Sequence, residues 1–167
     1  AQGEVVAAMR EFYGTVRGAG DGNIAQIRDR LIANLPYVGE KTAKSVRNQL
    51  DRVFGAKYKR STTYLKCVAE VIASNGKRGI NKLYNRYKKL ARSHETRAVI
   101  VEALGDCGNV RALGTLRKMI HDKDPQVAFA AIDGCAKYAS KTKEATNATM
   151  RDLINLYGKV TAKAQGK

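Results

Sequence analysis

The chain has 167 residues, with 31 Lys+Arg against 15 Asp+Glu, a formal net charge of +16 and no Trp. Its 44% apolar content recurs at regular spacing, enough to bury a core and to exclude a fully disordered chain. The longest purely apolar run, residues 127–132, is far short of the about 20 residues a bilayer crossing needs, so no membrane span is expected.

In chain order, the first segment carries an apolar stripe at helical spacing: Val5, Val6, Met9, Phe12, Tyr13 and Val16. Together with the Gly-rich turn that follows, residues 1–22 read as a helix closing the open end of a stack. Beyond it the sequence repeats itself. Anchor positions Leu35, Ile72, Leu104 and Cys135 recur at intervals of 37, 32 and 31 residues. Four units of this length mean a helical solenoid, with repeats at approximately 23–57, 60–92, 93–122 and 124–164.

Each unit reads as two helices around a glycine or polar turn: 36–39, 74–79, 105–109 and 140–142. The second helices have their own stripes. These are Ala43, Val46, Leu50, Val53 and Phe54; then Ile80, Leu83, Tyr84, Tyr87, Leu90 and Ala91; then Val110, Leu113, Leu116, Met119 and Ile120. Met150, Leu153, Ile154, Tyr157 and Val160 form the last. Asp124-Pro125 marks a helix start, an acceptor at the N-cap followed by proline where its missing N–H costs nothing. Ser61 and Ser93 are weaker cap candidates.

The tract Asp122-Lys123-Asp124-Pro125-Gln126-Val127, with Ala130-Ala131-Ile132, resembles the first helix of a HEAT repeat. Thr96-Arg97 with Glu102-Ala103-Leu104-Gly105-Asp106, and Ala112-Leu113 with Leu116, are similar to its core and second helix. The good matches span roughly 93–139 and weaker ones reach back to about 24, with Ala128 standing where the family usually has arginine. The resemblance implies an all-α, right-handed superhelix of about four HEAT-like helix pairs that binds other macromolecules. A second, local resemblance concerns Leu35-Pro36-Tyr37-Val38-Gly39-Glu40-Lys41-Thr42-Ala43, which is similar to the hairpin of a helix-hairpin-helix element. It implies phosphate binding by Gly39, Lys41 and Thr42, with Lys44 beside them. Tyr37 replaces the first glycine of that pattern, and the segment also fills the slot of an inter-helix turn.

The charge is concentrated. Residues 1–40 carry a net −1, residues 41–92 a net +13 with only Asp51 and Glu70 as acids, and residues 93–167 a net +4. So few internal partners leave a field that attracts polyanions. A helical wheel places Arg78, Lys82, Arg86 and Lys89 on one face, opposite the Ile80–Leu90 apolar set. Lys41, Lys44 and Arg52 on the preceding second helix, and the linker residues Lys57, Lys59 and Arg60, extend this into an expected basic groove across two units. Tyr58 is its candidate stacking residue, whereas Tyr84 and Tyr87 fall on the core side.

Catalytic signals are weak. His94 and His121 have no i+4 ligand partner and read as surface residues. Cys67 and Cys135 lie within first-helix stripes and Cys107 in a turn; they form no C-x-x-C pair, so neither a zinc module nor a closed disulfide framework is expected. No cofactor, metal or small-molecule substrate is indicated. The HEAT-like alkylpurine DNA glycosylases stack their substrate on tryptophan-rich surfaces, and this chain has no Trp. The leading expectation is a non-enzymatic protein-binding scaffold, an acidic partner suiting its charge. Nucleic-acid binding through the 41–92 face comes second, and a DNA-repair-type enzyme third. The chain starts at Ala1 rather than Met, which leaves a trimmed start and a removed leader equally open and no compartment assigned.

Overall fold

The computed structural model describes residues 1–15, 23–55, 60–90, 93–139, 147, 150–155 and 158. Along the described residues run α1 (Gln2–Thr15), α2 (Ile24–Asn34), α3 (Glu40–Val53), α4 (Thr62–Ala73), α5 (Gly76–Lys89), α6 (His94–Asp106), α7 (Leu113–Met119) and α8 (Pro125–Ala139), and residues 150–155 are also helical. Two 3₁₀ turns, Leu35–Tyr37 and Val110–Ala112, precede α3 and α7. Among the described residues there is no strand.

The helices follow from the spacing of their apolar residues. In α2, Ile24, Ile27 and Leu31 share one face and are buried. α3 buries Ala43, Val46 and Leu50 and leaves most of its remaining surface to polar residues. α4 is apolar nearly all round, burying Tyr64, Leu65, Cys67, Val68, Ala69, Val71, Ile72 and Ala73, because it packs against α2, α3, α5 and α6. Its N-terminus is fixed by the Ser61 hydroxyl, which accepts from the Tyr64 N–H at 3.1 Å. At α8, the Asp124 carboxylate accepts from the Gln126 and Val127 N–H groups at 2.9 and 3.4 Å. Ser93 takes the N-cap position of α6, its carbonyl accepting from the Arg97 N–H at 3.0 Å, but its hydroxyl bonds Thr96 Oγ1 at 2.8 Å rather than a backbone N–H.

α4/α5 and α6/α7 are packed helix pairs, while α3 follows α2 through the 3₁₀ turn and packs against α4. The first helices α2, α4, α6 and α8 pack in succession, and α3, α5 and the turn leading into α7 form a second row. Gly76, the first residue of α5, and Gly108, in the turn after α6, have φ of +63° and +70°, a left-handed backbone that reverses the chain without a Cβ penalty. α1 packs on α2, with Arg30 pairing to both Glu4 (3.2 Å) and Glu11 (2.7 Å). Its buried Phe12 ring meets the Tyr64 ring of α4 at 4.7 Å.

Ion pairs run from unit to unit along the first helices. Arg28 pairs with Glu70 at 2.7 Å, Lys66 with Glu102 and Asp106 at 3.4 and 3.2 Å, and Lys137 with Asp106 at 2.8 Å. Between the rows, the buried Arg97 of α6 donates to Asp122 at 2.9 Å, and the Tyr87 hydroxyl of α5 donates to the same carboxylate.

Several stripe residues are not core. Val6 and Tyr13 of α1 are partly exposed, Val110 is exposed at the start of a 3₁₀ turn, and Met150 and Ile154 are exposed on the helical segment 150–155. At these places the apolar spacing runs beyond the surface that neighbouring helices cover. Val16, Ala91, Tyr157, Val160 and the expected 140–142 turn lie outside the described residues.

Candidate functional site

Two adjacent second-row helices, α3 and α5, enclose an open groove of about 550 Å³. α3 contributes Glu40, Lys44, Arg47 and Asn48, and α5 contributes Arg78, Asn81, Lys82 and Asn85. The sequence sets this directly. Positions 40, 44, 47 and 48 on one helix, and 78, 81, 82 and 85 on the other, are three- and four-residue steps along one face. The opposite faces are committed to the core through Val46 and Leu50 on α3 and Ile80 and Leu83 on α5.

The wall is held by Glu40. Its carboxylate accepts from Arg47 at 2.6 Å and also pairs with Arg78. The Glu40 carboxyl is held below the usual carboxylate range, first by the Arg47 hydrogen bond and then by that from Arg78. Arg47 is itself only 4% exposed and donates a second bond, 2.6 Å long, to Asn75 Oδ1 at the start of α5. One buried guanidinium thus fixes the spacing of the two helices at this end.

The other end is fixed by Asp51, which accepts a bidentate pair from Arg86 at 3.0 and 2.8 Å. The Asp51 hydrogen bond raises the Arg86 guanidinium pKa further above its ordinary value. Lys82 reaches the same carboxylate at 3.9 Å.

The residues expected to form the basic groove are thus placed differently from one another. Arg86 is consumed as a strut, Arg78 and Lys82 face the groove in partial pairing, and Lys89 is exposed but outside the groove lining. Two carboxylates, each shared by more than one cation, absorb more of the excess than a count of charges suggests. Lys44 lines the groove with no ion pair among the described residues, while Lys41 and Arg52 are exposed and outside its lining. Arg60 sits elsewhere, 5.9 Å over the Tyr64 ring. Lys57, Tyr58 and Lys59 lie outside the described residues.

The hairpin residues do not gather at the groove. Gly39 is the N-cap of α3, its carbonyl accepting from the Thr42 and Ala43 N–H groups at 2.9 and 3.1 Å. Thr42 faces a separate, mainly apolar groove of about 700 Å³ between α1 and α3, lined also by Val5, Met9, Tyr13 and Val46. Tyr37 projects into solvent from the 3₁₀ turn at 79% exposure.

Tyr84 and Tyr87 are packed against the core as expected, their rings stacked at 6.1 Å. His94 and His121 are on the surface, and Cys67 and Cys135 are buried. Among the described residues, no cluster of three His, Cys, Asp or Glu side chains could hold a metal ion, and no helix is long and apolar enough to cross a membrane.

Charge counting missed Glu40, Arg47, Asn48, Asn81 and Asn85. The signal for them was present in the i, i+4, i+7, i+8 spacing of polar residues from Glu40 to Asn48, and in its counterpart from Arg78 to Asn85.

Paired helices stacked in two rows, with inter-unit ion pairs and glycine turns, define an all-α helical-repeat solenoid. Residues 80–155 match the family model described as HEAT repeats, a stretch that contains the resemblance over 93–139. The α5 wall of the groove lies mostly within the matched stretch and the α3 wall precedes it. No curated protein and no solved structure matches the chain. HEAT repeats generally serve as protein–protein interaction scaffolds and are typically non-enzymatic.

Proposed function

We propose that the protein is an interaction scaffold that receives an acidic protein partner on the α3/α5 face. The observation that carries this reading is the groove lining, in which Lys44, Arg47, Arg78 and Lys82 face a single carboxylate, that of Glu40. Arg47 and Glu40 neutralise one another, so Lys44, Lys82 and part of Arg78 are available to a partner's carboxylates. Rigid helices hold these side chains, and the Arg86–Asp51 and Arg47–Asn75 struts fix the distance between the walls. A partner therefore meets a preformed surface and loses less freedom on binding.

The test uses an anionic, supercharged fluorescent protein as a defined acidic partner, with duplex and single-stranded DNA in parallel, at low and moderate salt. Lys44→Glu/Lys82→Glu removes the groove charge. Arg111→Glu/Lys123→Glu makes the same change in net charge at exposed positions outside the groove. Binding of the acidic protein is expected to fall at least about tenfold in the groove variant and to change little in the control. Equal losses in both variants overturn the site. DNA binding that exceeds protein binding and depends on the groove residues replaces this reading with the nucleic-acid one.

A further inference from the structure

Resting on that reading of the groove, we infer that the bound partner is an extended acidic segment whose main chain is read by Asn48, Asn81 and Asn85. These three carboxamides are exposed, line the same groove, and make no hydrogen bond among the described residues. Three other asparagines are put to use, in that Asn34 donates to a backbone carbonyl, Asn75 accepts from Arg47, and Asn109 caps a 3₁₀ turn, whereas Asn23 at the N-cap of α2 makes no side-chain cap bond. The groove asparagines have no such structural duty.

Each carboxamide offers both a donor and an acceptor, the same pair that a peptide unit presents. A phosphate backbone presents acceptors only, and satisfies half of that capacity. The spacing is also suitable. Asn81 and Asn85 lie one helical turn apart, about 6 Å along the axis. An extended chain repeats each face about every 6.6 to 6.8 Å, so successive carboxamides on α5 meet alternate peptide units of one strand. Asn48 on α3 faces the same strand from the other wall.

The charges fix the side-chain pattern. Lys44 and Lys82 flank the carboxamides, and Arg78 lies at the end where the Glu40 carboxylate also lines the wall. At that end Arg47 and Arg78 are already paired with Glu40, so a further carboxylate finds little attraction there. A segment alternating acidic and small neutral residues places carboxylates at the lysines and a neutral residue beside Glu40.

The experiment measures anisotropy of three labelled peptides of equal charge: alternating Glu-Ser, the same composition in two blocks, and the alternating peptide N-methylated at every second amide. The alternating peptide is expected to bind most tightly. Asn81→Ala/Asn85→Ala, which favours the helix and keeps every charge, is expected to weaken it about 10- to 30-fold, the loss of about two net hydrogen bonds. That variant is expected to leave the N-methylated peptide unchanged. Equal affinity for all three peptides, or no effect of the asparagine variant, overturns the extended-strand inference. If the folded anionic protein still binds through Lys44 and Lys82 in that case, the scaffold reading stands without it. If neither peptide nor folded acidic protein responds to those lysines, both fall.

Discussion

Gly105 of α6 and Gly134 of α8 meet backbone to backbone, so that a Cβ added at Gly105 would lie 2.9 Å from the Gly134 Cα. The two first helices therefore cross with no side chain between them, the closest approach their backbones allow. Gly105→Ala forces these helices apart and is expected to destabilise the protein by about 1 to 3 kcal/mol. At Gly134 an added Cβ meets both Leu116 methyls at 3.2 Å and the Gly105 Cα at 3.3 Å, a milder crowding that the helix-propensity gain of roughly 1 kcal/mol partly offsets. Gly114, with nothing within 4 Å of an added Cβ, is the control, and Gly114→Ala is expected to stabilise by about 0.5 kcal/mol. Urea midpoints should rank the variants Gly114→Ala, Gly134→Ala, Gly105→Ala from most to least stable. A Gly105→Ala variant as stable as Gly114→Ala would rule out this crossing.

A second test concerns the buried network behind the groove. Arg97 is about 90% buried, Asp122 more so, and the carboxylate also accepts from Tyr87 and from the Asp124 N–H at 2.9 Å. Arg97→Met preserves much of the side-chain volume but leaves Asp122 buried without its countercharge. It is expected to cost about 3 to 5 kcal/mol. Arg86→Met breaks a less buried pair, with both side chains near 18% exposed, and should cost about 1 to 3 kcal/mol. Thermal unfolding of the two variants separates them, and the reverse order contradicts the burial described for Arg97.

Acid should weaken the stack in a defined window. Glu40 is held below the usual carboxylate range by Arg47 and Arg78. Asp106 is raised by burial, but hydrogen bonds from Lys137 and Lys66 overcome this and hold it low. Asp152 is lowered by its hydrogen bonds from Arg117. Each folded-state pKa lies below the unfolded one. The stabilisation is therefore fully present above the unfolded value of about 4 and is lost as pH falls through the lower folded values. Urea midpoints measured from neutral pH downward should hold until about pH 5 and then drop. Asp106→Asn should begin less stable and show a shallower drop. A variant slope as steep as wild type removes Asp106 from the set.

How legible this was depended on what each signal measures. Glycine turns and apolar stripes report on local chain geometry and on the face a helix buries, so the helix pairs, the Asp124-Pro125 start and the buried Cys67 and Cys135 could be read from sequence. Exposure at Val110 and Ile154 could not, because a stripe does not say where its covering neighbour ends. The groove was half legible. A count of charges finds Lys44, Arg78 and Lys82, but cannot tell that Arg86 is held by Asp51, 35 residues away. It is blind to Asn48, Asn81 and Asn85, which carry no charge, and it passes over Arg47, whose burial depends on Glu40 and Asn75 arriving from two directions.

The three cysteines should react in a set order. Cys135 is fully buried, and desolvation pushes its thiol up to about 11; burial likewise raises the Cys67 thiol, which is 4% exposed. Since the thiolate is the reactive species, both are protected twice, by lack of access and by a depleted thiolate population. Cys107 sits half-buried in the turn after α6, where its thiol donates to the Leu104 carbonyl at 3.3 Å and lies 3.5 Å from the Tyr138 hydroxyl. It is the only one of the three with partial access, and its hydrogen bond slows reaction without preventing it. A maleimide added to the native protein near neutral pH should therefore modify Cys107 first, with all three modified only in denaturant. Cys107→Ser should abolish the early phase and leave the denatured phase two thiols strong. Early modification of Cys135 would mean that α8 opens away from α6 in the native state, against the close crossing at Gly105 and Gly134.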